Sequence, residues 1–178
     1  MVEEIPSMTH KLALVFAAAG FACAAVFAQS SNPLSTEAKQ AYTGVKNNIL
    51  KAAEKMPEAD YAFKATPEVR SFAQIVEHVI QAQTHTCAVL NGQEKSSTVA
   101  ATASKADIVA ALKQSFADCD AAYDSLTDAA ATTMVKTARG ERTRLGMLVG
   151  NTTHDVEQYS AMAVYMRLKG IVPPSSER

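Results

Sequence analysis

The chain contains no tryptophan, only 6% aromatic residues and no surplus of either charge, with 17 Lys and Arg against 18 Asp and Glu in 178 residues. A formal net charge of -1 and the lack of any basic block remove the electrostatic footprint that a phosphate backbone demands. So few rings cannot build a platform for stacking bases. These absences exclude DNA and RNA as partners. Also missing are a Gly-x-Ser-x-Gly context for a serine nucleophile and a glycine-rich phosphate loop, so chemistries that depend on those motifs fall away. There is no internal repeat and no low-complexity tract, and no segment shows the apolar–polar alternation of a strand.

What is present begins with one long apolar run. Leu12 to Phe27 is continuous and alanine-rich, with Lys11 before it and Ala28-Gln29-Ser30-Ser31 after it. A basic flank, a hydrophobic stretch and small residues at Val26 and Ala28 mark a secretory signal cleaved after Ala28. Glu3 and Glu4 are unusual in such a flank, and a start at Met8 would leave an ordinary one. The competing reading is an uncleaved anchor, for which the run is short against the roughly 20 residues of a span. Cleavage predicts a periplasmic or secreted protein with no membrane attachment, residues 1–28 being the signal and 29–178 one domain. Without Glu3, Glu4 and Lys11 that domain carries 16 basic and 16 acidic residues.

Four segments have helical periodicity. The first, about Ser35 to Met56, carries Ala38, Tyr42, Val45, Ile49, Ala52 and Met56 on one stripe and ends at Pro57. The second starts at a Ser71 cap and runs to Leu90, closing at Asn91-Gly92. The third opens with Ser104-Lys105-Ala106-Asp107 and continues through Leu112, Phe116, Cys119, Tyr123 and Leu126. The fourth runs from about Thr143 to Lys169 and stops at Gly170 before Pro173-Pro174. Four such helices predict an all-α four-helix bundle. The second and third are separated by the thirteen residues Gln93 to Lys105, which at about 3.3 Å each could run back along a whole helix. The middle helices then lie parallel, in an up-down-down-up order. Parallel packing would set Cys87 and Cys119 at similar heights, where a disulfide suits an exported protein. Two buried thiols packing as small apolar groups are the other reading.

The candidate site lies in the fourth helix. Alternating steps of four and three from Met147 give Asn151, His154, Gln158, Ala161, Tyr165 and Leu168. This spacing marks an inward seam, yet Asn151, His154 and Gln158 are polar. Buried and unpaired, such groups cost about 1–3 kcal/mol each, so they require partners, a metal ion or a ligand. His78 and His85 lie on the shoulder of the second helix's apolar stripe. They are two turns apart, about 10 Å along the axis, and can hardly share one ion. A catalytic metal asks for about three protein ligands, and His154 with Gln158 supplies an i, i+4 pair of which the amide is a weak member. Glu77, Asp155 and Glu157 flank the histidines; Asn151 and Glu157 are the supporting groups expected around a bound ion. Arg139, Arg142 and Arg144 form a small basic cluster, most simply a solvated loop.

The stretch His154-Asp155-Val156-Glu157-Gln158-Tyr159, with Tyr165-Met166-Arg167-Leu168-Lys169-Gly170-Ile171-Val172-Pro173-Pro174, resembles the last helix of the DinB-like superfamily. Met56-Pro57-Glu58-Ala59-Asp60-Tyr61 and Thr66-Pro67-Glu68-Val69-Arg70-Ser71-Phe72 resemble it too. The resemblance covers about residues 35–178 and implies a bundle with parallel middle helices. It also implies a divalent-metal site, zinc or nickel, on three histidines. By position these are His78, His154 and residue 158, where this chain has Gln158. Relatives include thiol-dependent S-transferases and a mycothiol-dependent maleylpyruvate isomerase. Two functions follow as expectations: a degenerate metal site with transferase- or hydrolase-like chemistry, or a non-catalytic bundle binding a small-molecule ligand or a partner protein. A homodimer stays open.

Overall fold

A computed structural model describes residues 32–93, 95–97, 99 and 103–177. The expected signal over residues 1–28 lies outside them. The described chain forms α1 (Pro33–Lys55), α2 (Phe72–Leu90), α3 (Lys105–Asp124), a hairpin of β1 (Met134–Thr137) and β2 (Gly140–Thr143), and α4 (Arg144–Leu168). Short 3₁₀ turns occupy Glu58–Asp60 and Pro174–Ser176. No helix among the described residues is long and apolar enough to cross a membrane.

Each helix starts where its sequence supplies acceptors for the orphan amides of a first turn. Ser71 and Ser104 each close a capping box, with Gln74 and Asp107 respectively, and Thr143 Oγ1 accepts from the amide of Gly146 at 3.0 Å. The first helix is capped from afar. Asp128, beyond the end of α3, accepts from the amides of Leu34 at 3.1 Å and Ser35 at 2.8 Å, and from the Ser35 hydroxyl at 2.6 Å. Pro57 terminates α1, and Gly170, at φ +72°, terminates α4 before Pro173.

Contacts at the helix ends fix the directions. Lys105 at the start of α3 donates to the Met56 carbonyl past the end of α1, while Tyr42 reaches Asp120 near the other end of α3, so these helices are antiparallel. Arg144 at the start of α4 donates to Leu90 O at the end of α2 at 3.1 Å, and Tyr165 donates to Arg70 O before its start at 2.6 Å. Lys55 reaches Val172 O beyond α4. Helices α2 and α3 run side by side in the same direction, and Cys87 and Cys119 are joined in a disulfide with Cα atoms 5.1 Å apart. The order is up-down-down-up. The core includes Tyr42 stacked on Tyr123, with ring centroids 3.7 Å apart and planes 8° apart, and along the bundle Ile49, Ile80, Leu112, Phe116, Leu148, Met162 and Met166, all fully buried. Burial of each such aliphatic or aromatic side chain contributes about 1.5–3 kcal/mol.

Two details differ from the sequence expectation. The hairpin is one: its strands pair Met134 with Thr143 through Thr137 with Gly140, across the two-residue turn Ala138-Arg139. Gly140 holds φ +113°, a conformation that side chains resist. The hairpin ends on Thr143 and so aims the start of α4. The other is the phase of α4. Its buried residues include Met147, Leu148, Asn151, Asp155, Tyr159, Met162 and Met166, while Leu168 is 57% exposed. The stripe of Leu148, Met162 and Met166 turns the helix, bringing Asp155 inward and moving His154 and Gln158 to the edge of the seam.

Candidate functional site

Antiparallel α2 and α4 bring His78 and His154 together. Their Nε2 atoms are 3.0 Å apart and their ring planes cross at 70°. At that separation one nitrogen carries the proton and the other accepts it. Both rings are half-buried. Burial, then the positive charge of Arg70 and repulsion from a protonated His154, hold the His78 pKa below its ordinary value. His78 also lines an open polar cleft of about 350 Å³ with Lys64, Glu68, Arg70, Gln74 and Glu77. Partial burial there raises the Glu77 carboxyl.

Behind the histidines lies a polar network that sequence reading missed in part. Gln83, fully buried on α2, donates through Nε2 to Asp155 Oδ2 and accepts through Oε1 from Asn151 Nδ2 at 3.1 Å, with its amide against the Cys87–Cys119 disulfide. Asn151 also donates to the Tyr123 hydroxyl at 3.2 Å, and that hydroxyl donates to Leu148 O at 2.9 Å. Burial pushes the Tyr123 hydroxyl up to about 12 and raises the Asp155 carboxyl above the usual carboxylate range. Among the described residues, three buried side-chain atoms have no hydrogen-bond partner: Asn151 Oδ1, His154 Nδ1 and Asp155 Oδ1. The last two are 3.9 Å apart, beyond hydrogen-bond range.

Several expected residues sit elsewhere. Glu157 is exposed and pairs with no described residue, so it supports neither histidine; its position on α4 faces outward, and the buried carboxylate is Asp155. Gln158 is half-buried one turn beyond His154 and makes no hydrogen bond to a described residue. Asn151 belongs to the network around Gln83. His85 is exposed. Arg144 is spent on Leu90 O, about 18 Å along α2 from His78, and Arg142 on Gly146 O in the first turn of α4. One signal could have exposed Asp155 and Gln83: both fall at i, i+3 or i, i+7 positions from strongly apolar neighbours, Ile80 and Val76 for Gln83, Leu148 and Met162 for Asp155.

Residues 41–161 match the family model of the DinB superfamily. The chain belongs to that superfamily. Solved structures agree on the fold. A DinB-like protein from Bacillus cereus aligns with a TM-score of 0.66 at 16% identity, covering 77% of this chain and 93% of that one. A DinB-like protein from Bacillus subtilis aligns at 0.64 with 17% identity, covering 80% and 99%. A mutant of a mycothiol-dependent maleylpyruvate isomerase aligns at 0.61 with 14% identity, over 73% of this chain and 60% of that chain. No curated protein matches the chain.

For this DinB domain, the donor set does not complete a catalytic metal centre. Two imidazoles are present where about three protein ligands are needed. Gln158 offers only a neutral carbonyl oxygen, and the Asp155 carboxylate is held by Gln83. Among the described residues no group of three His, Cys, Asp or Glu side chains is placed to hold an ion.

Proposed function

We propose that this is an exported DinB domain that binds a small polar, ionised molecule in the cleft at His78. Its paired histidines would act as a hydrogen-bonding and proton-accepting element in place of a catalytic metal. The observation carrying this reading is the 3.0 Å contact between the two Nε2 atoms. That contact uses the lone pair of one imidazole and the proton of the other, the groups that an ion would otherwise claim. The mixed charge of Lys64, Arg70, Glu68 and Glu77 around the cleft supports a small charged ligand. The apolar run before Ala28 and the buried disulfide support export to an oxidising compartment.

A second reading has one observation in its favour. Nitrogens 3.0 Å apart are within reach of a shared ion at about 2.1 Å from each, with Gln158 and water completing a weak site. Elemental analysis of the purified protein, beside His154→Ala, separates the two. The proposal expects well under one zinc or nickel per chain. A tightly held, stoichiometric ion lost in His154→Ala would overturn it. The cleft itself is tested by thermal-shift screening of small zwitterions and carboxylates. A hit should raise the native midpoint and leave His78→Ala unmoved.

A further inference from the structure

We propose that Asp155 is the positioning residue of the histidine pair, fixing the proton of His154 on Nδ1 and so giving the pair one direction. The inference rests on the reading of the pair as hydrogen-bonded. Asp155 is fully buried, and one of its oxygens is already anchored by Gln83 Nε2, which Asn151 holds in turn. The other oxygen is buried and has no partner among the described residues, as is true of His154 Nδ1, and 3.9 Å separates them. A small rotation of the imidazole closes that gap and satisfies both atoms with one charge-assisted hydrogen bond. The other tautomer sets a ring lone pair against a carboxylate oxygen and leaves both atoms without a partner.

The hydrogen bond made by one ring nitrogen selects the state of the other. With Nδ1–H turned to Asp155, Nε2 of His154 is an acceptor, so the 3.0 Å contact must be filled by a proton on His78 Nε2. The lone pair of the pair then resides on Nδ1 of His78, a residue that lines the cleft. The ligand class follows: a molecule that presents an O–H, N–H or S–H donor to His78 while its charge meets Arg70, Lys64 or Glu77. The logic is that of a buried aspartate setting the tautomer of a working histidine, carried one imidazole further.

Two-bond ¹H–¹⁵N NMR of the folded, ¹⁵N-histidine-labelled protein reads the tautomers directly, with His85→Gln and His78→Gln used for assignment. The native protein should hold the His154 proton on Nδ1 by more than ten to one. In Asp155→Asn the ratio should move at least tenfold toward Nε2–H. A proton on Nε2 in the native protein overturns the proposal, and so does an unmoved ratio in folded Asp155→Asn. The native spectrum decides even if that variant does not fold. Tight zinc binding would defeat the metal-free reading instead, and is seen by elemental analysis, so the two failures are distinguishable.

Discussion

Removing the Cys87–Cys119 disulfide should cost this domain a large share of its stability. The two cysteines are 32 residues apart in sequence. Opening a loop of that length returns chain entropy to the unfolded state worth about 3.7 kcal/mol at 25 °C. Their Cα separation of 5.1 Å falls within the ordinary range for a disulfide, so little native strain should offset this gain. Both sulfurs are fully buried between α2 and α3, and the neighbouring Gln83 amide packs on them, so Cys87→Ala with Cys119→Ala also removes packing. Guanidinium unfolding of the double variant should show a loss of about 3–4 kcal/mol, and a denaturant slope larger than native because the unlinked chain exposes more surface. The thermal midpoint should drop by roughly 10 °C for a domain of this size. A variant within about 1 kcal/mol of native, with an unchanged slope, would refute the reasoning, because a linkage joining two parallel helices across so long a connection cannot be energetically silent in the loop-closure account.

Other perturbations follow from single contacts. Tyr123→Phe removes the hydroxyl that accepts from Asn151 and donates to Leu148 O, and should cost about 1–2 kcal/mol in the same unfolding assay; no loss would mean the network is reorganised. Asp128→Ala removes the distant cap of α1 and should speed amide exchange at Leu34 and Ser35; unchanged exchange there would mean that the cap is not what holds the first turn. His78, whose folded pKa is lowered mainly by burial, contributes stability that is present above the ordinary histidine value near 6.5 and lost as pH falls through the folded value. The stability–pH curve of His78→Asn should therefore be flatter on its acid limb, below about pH 6.5; an identical slope counts against the burial of a neutral ring.

The helices were legible because their punctuation is chemical. Pro57, the Ser71 and Ser104 caps and Gly170 each act within one turn of chain, so local sequence decides them. The direction of the middle helices was legible too, since a thirteen-residue connection and two cysteines at matching heights constrain long-range geometry. The hairpin was not. Met-Val-Lys-Thr and Gly-Glu-Arg-Thr are short and largely exposed, and their pairing is set by Gly140 and by the backbone bonds from Arg144 and Leu145 to Thr133 and Ala131. At the site, the pairing of His78 with His154 was legible through the resemblance to the DinB-like last helix, but the rotation of α4 was not. Apolar residues occur all round that helix, with Val149, Val156 and Val164 exposed, so its pattern admits more than one phase. The choice is made by the fit of Leu148, Met162 and Met166 into the core. That choice buries Asp155, leaves Glu157 outside and places Gln83 at the centre of the network.

The central claim is that two imidazoles without a third strong ligand make this a DinB domain that works without a tightly bound catalytic metal. Calorimetric zinc titration of native protein and Gln158→His, side by side, tests it most directly. The account predicts at most weak binding to the native chain and one zinc per chain, bound at least a hundredfold more tightly, in Gln158→His. Tight stoichiometric binding to the native protein, unchanged by Gln158→His, would contradict it.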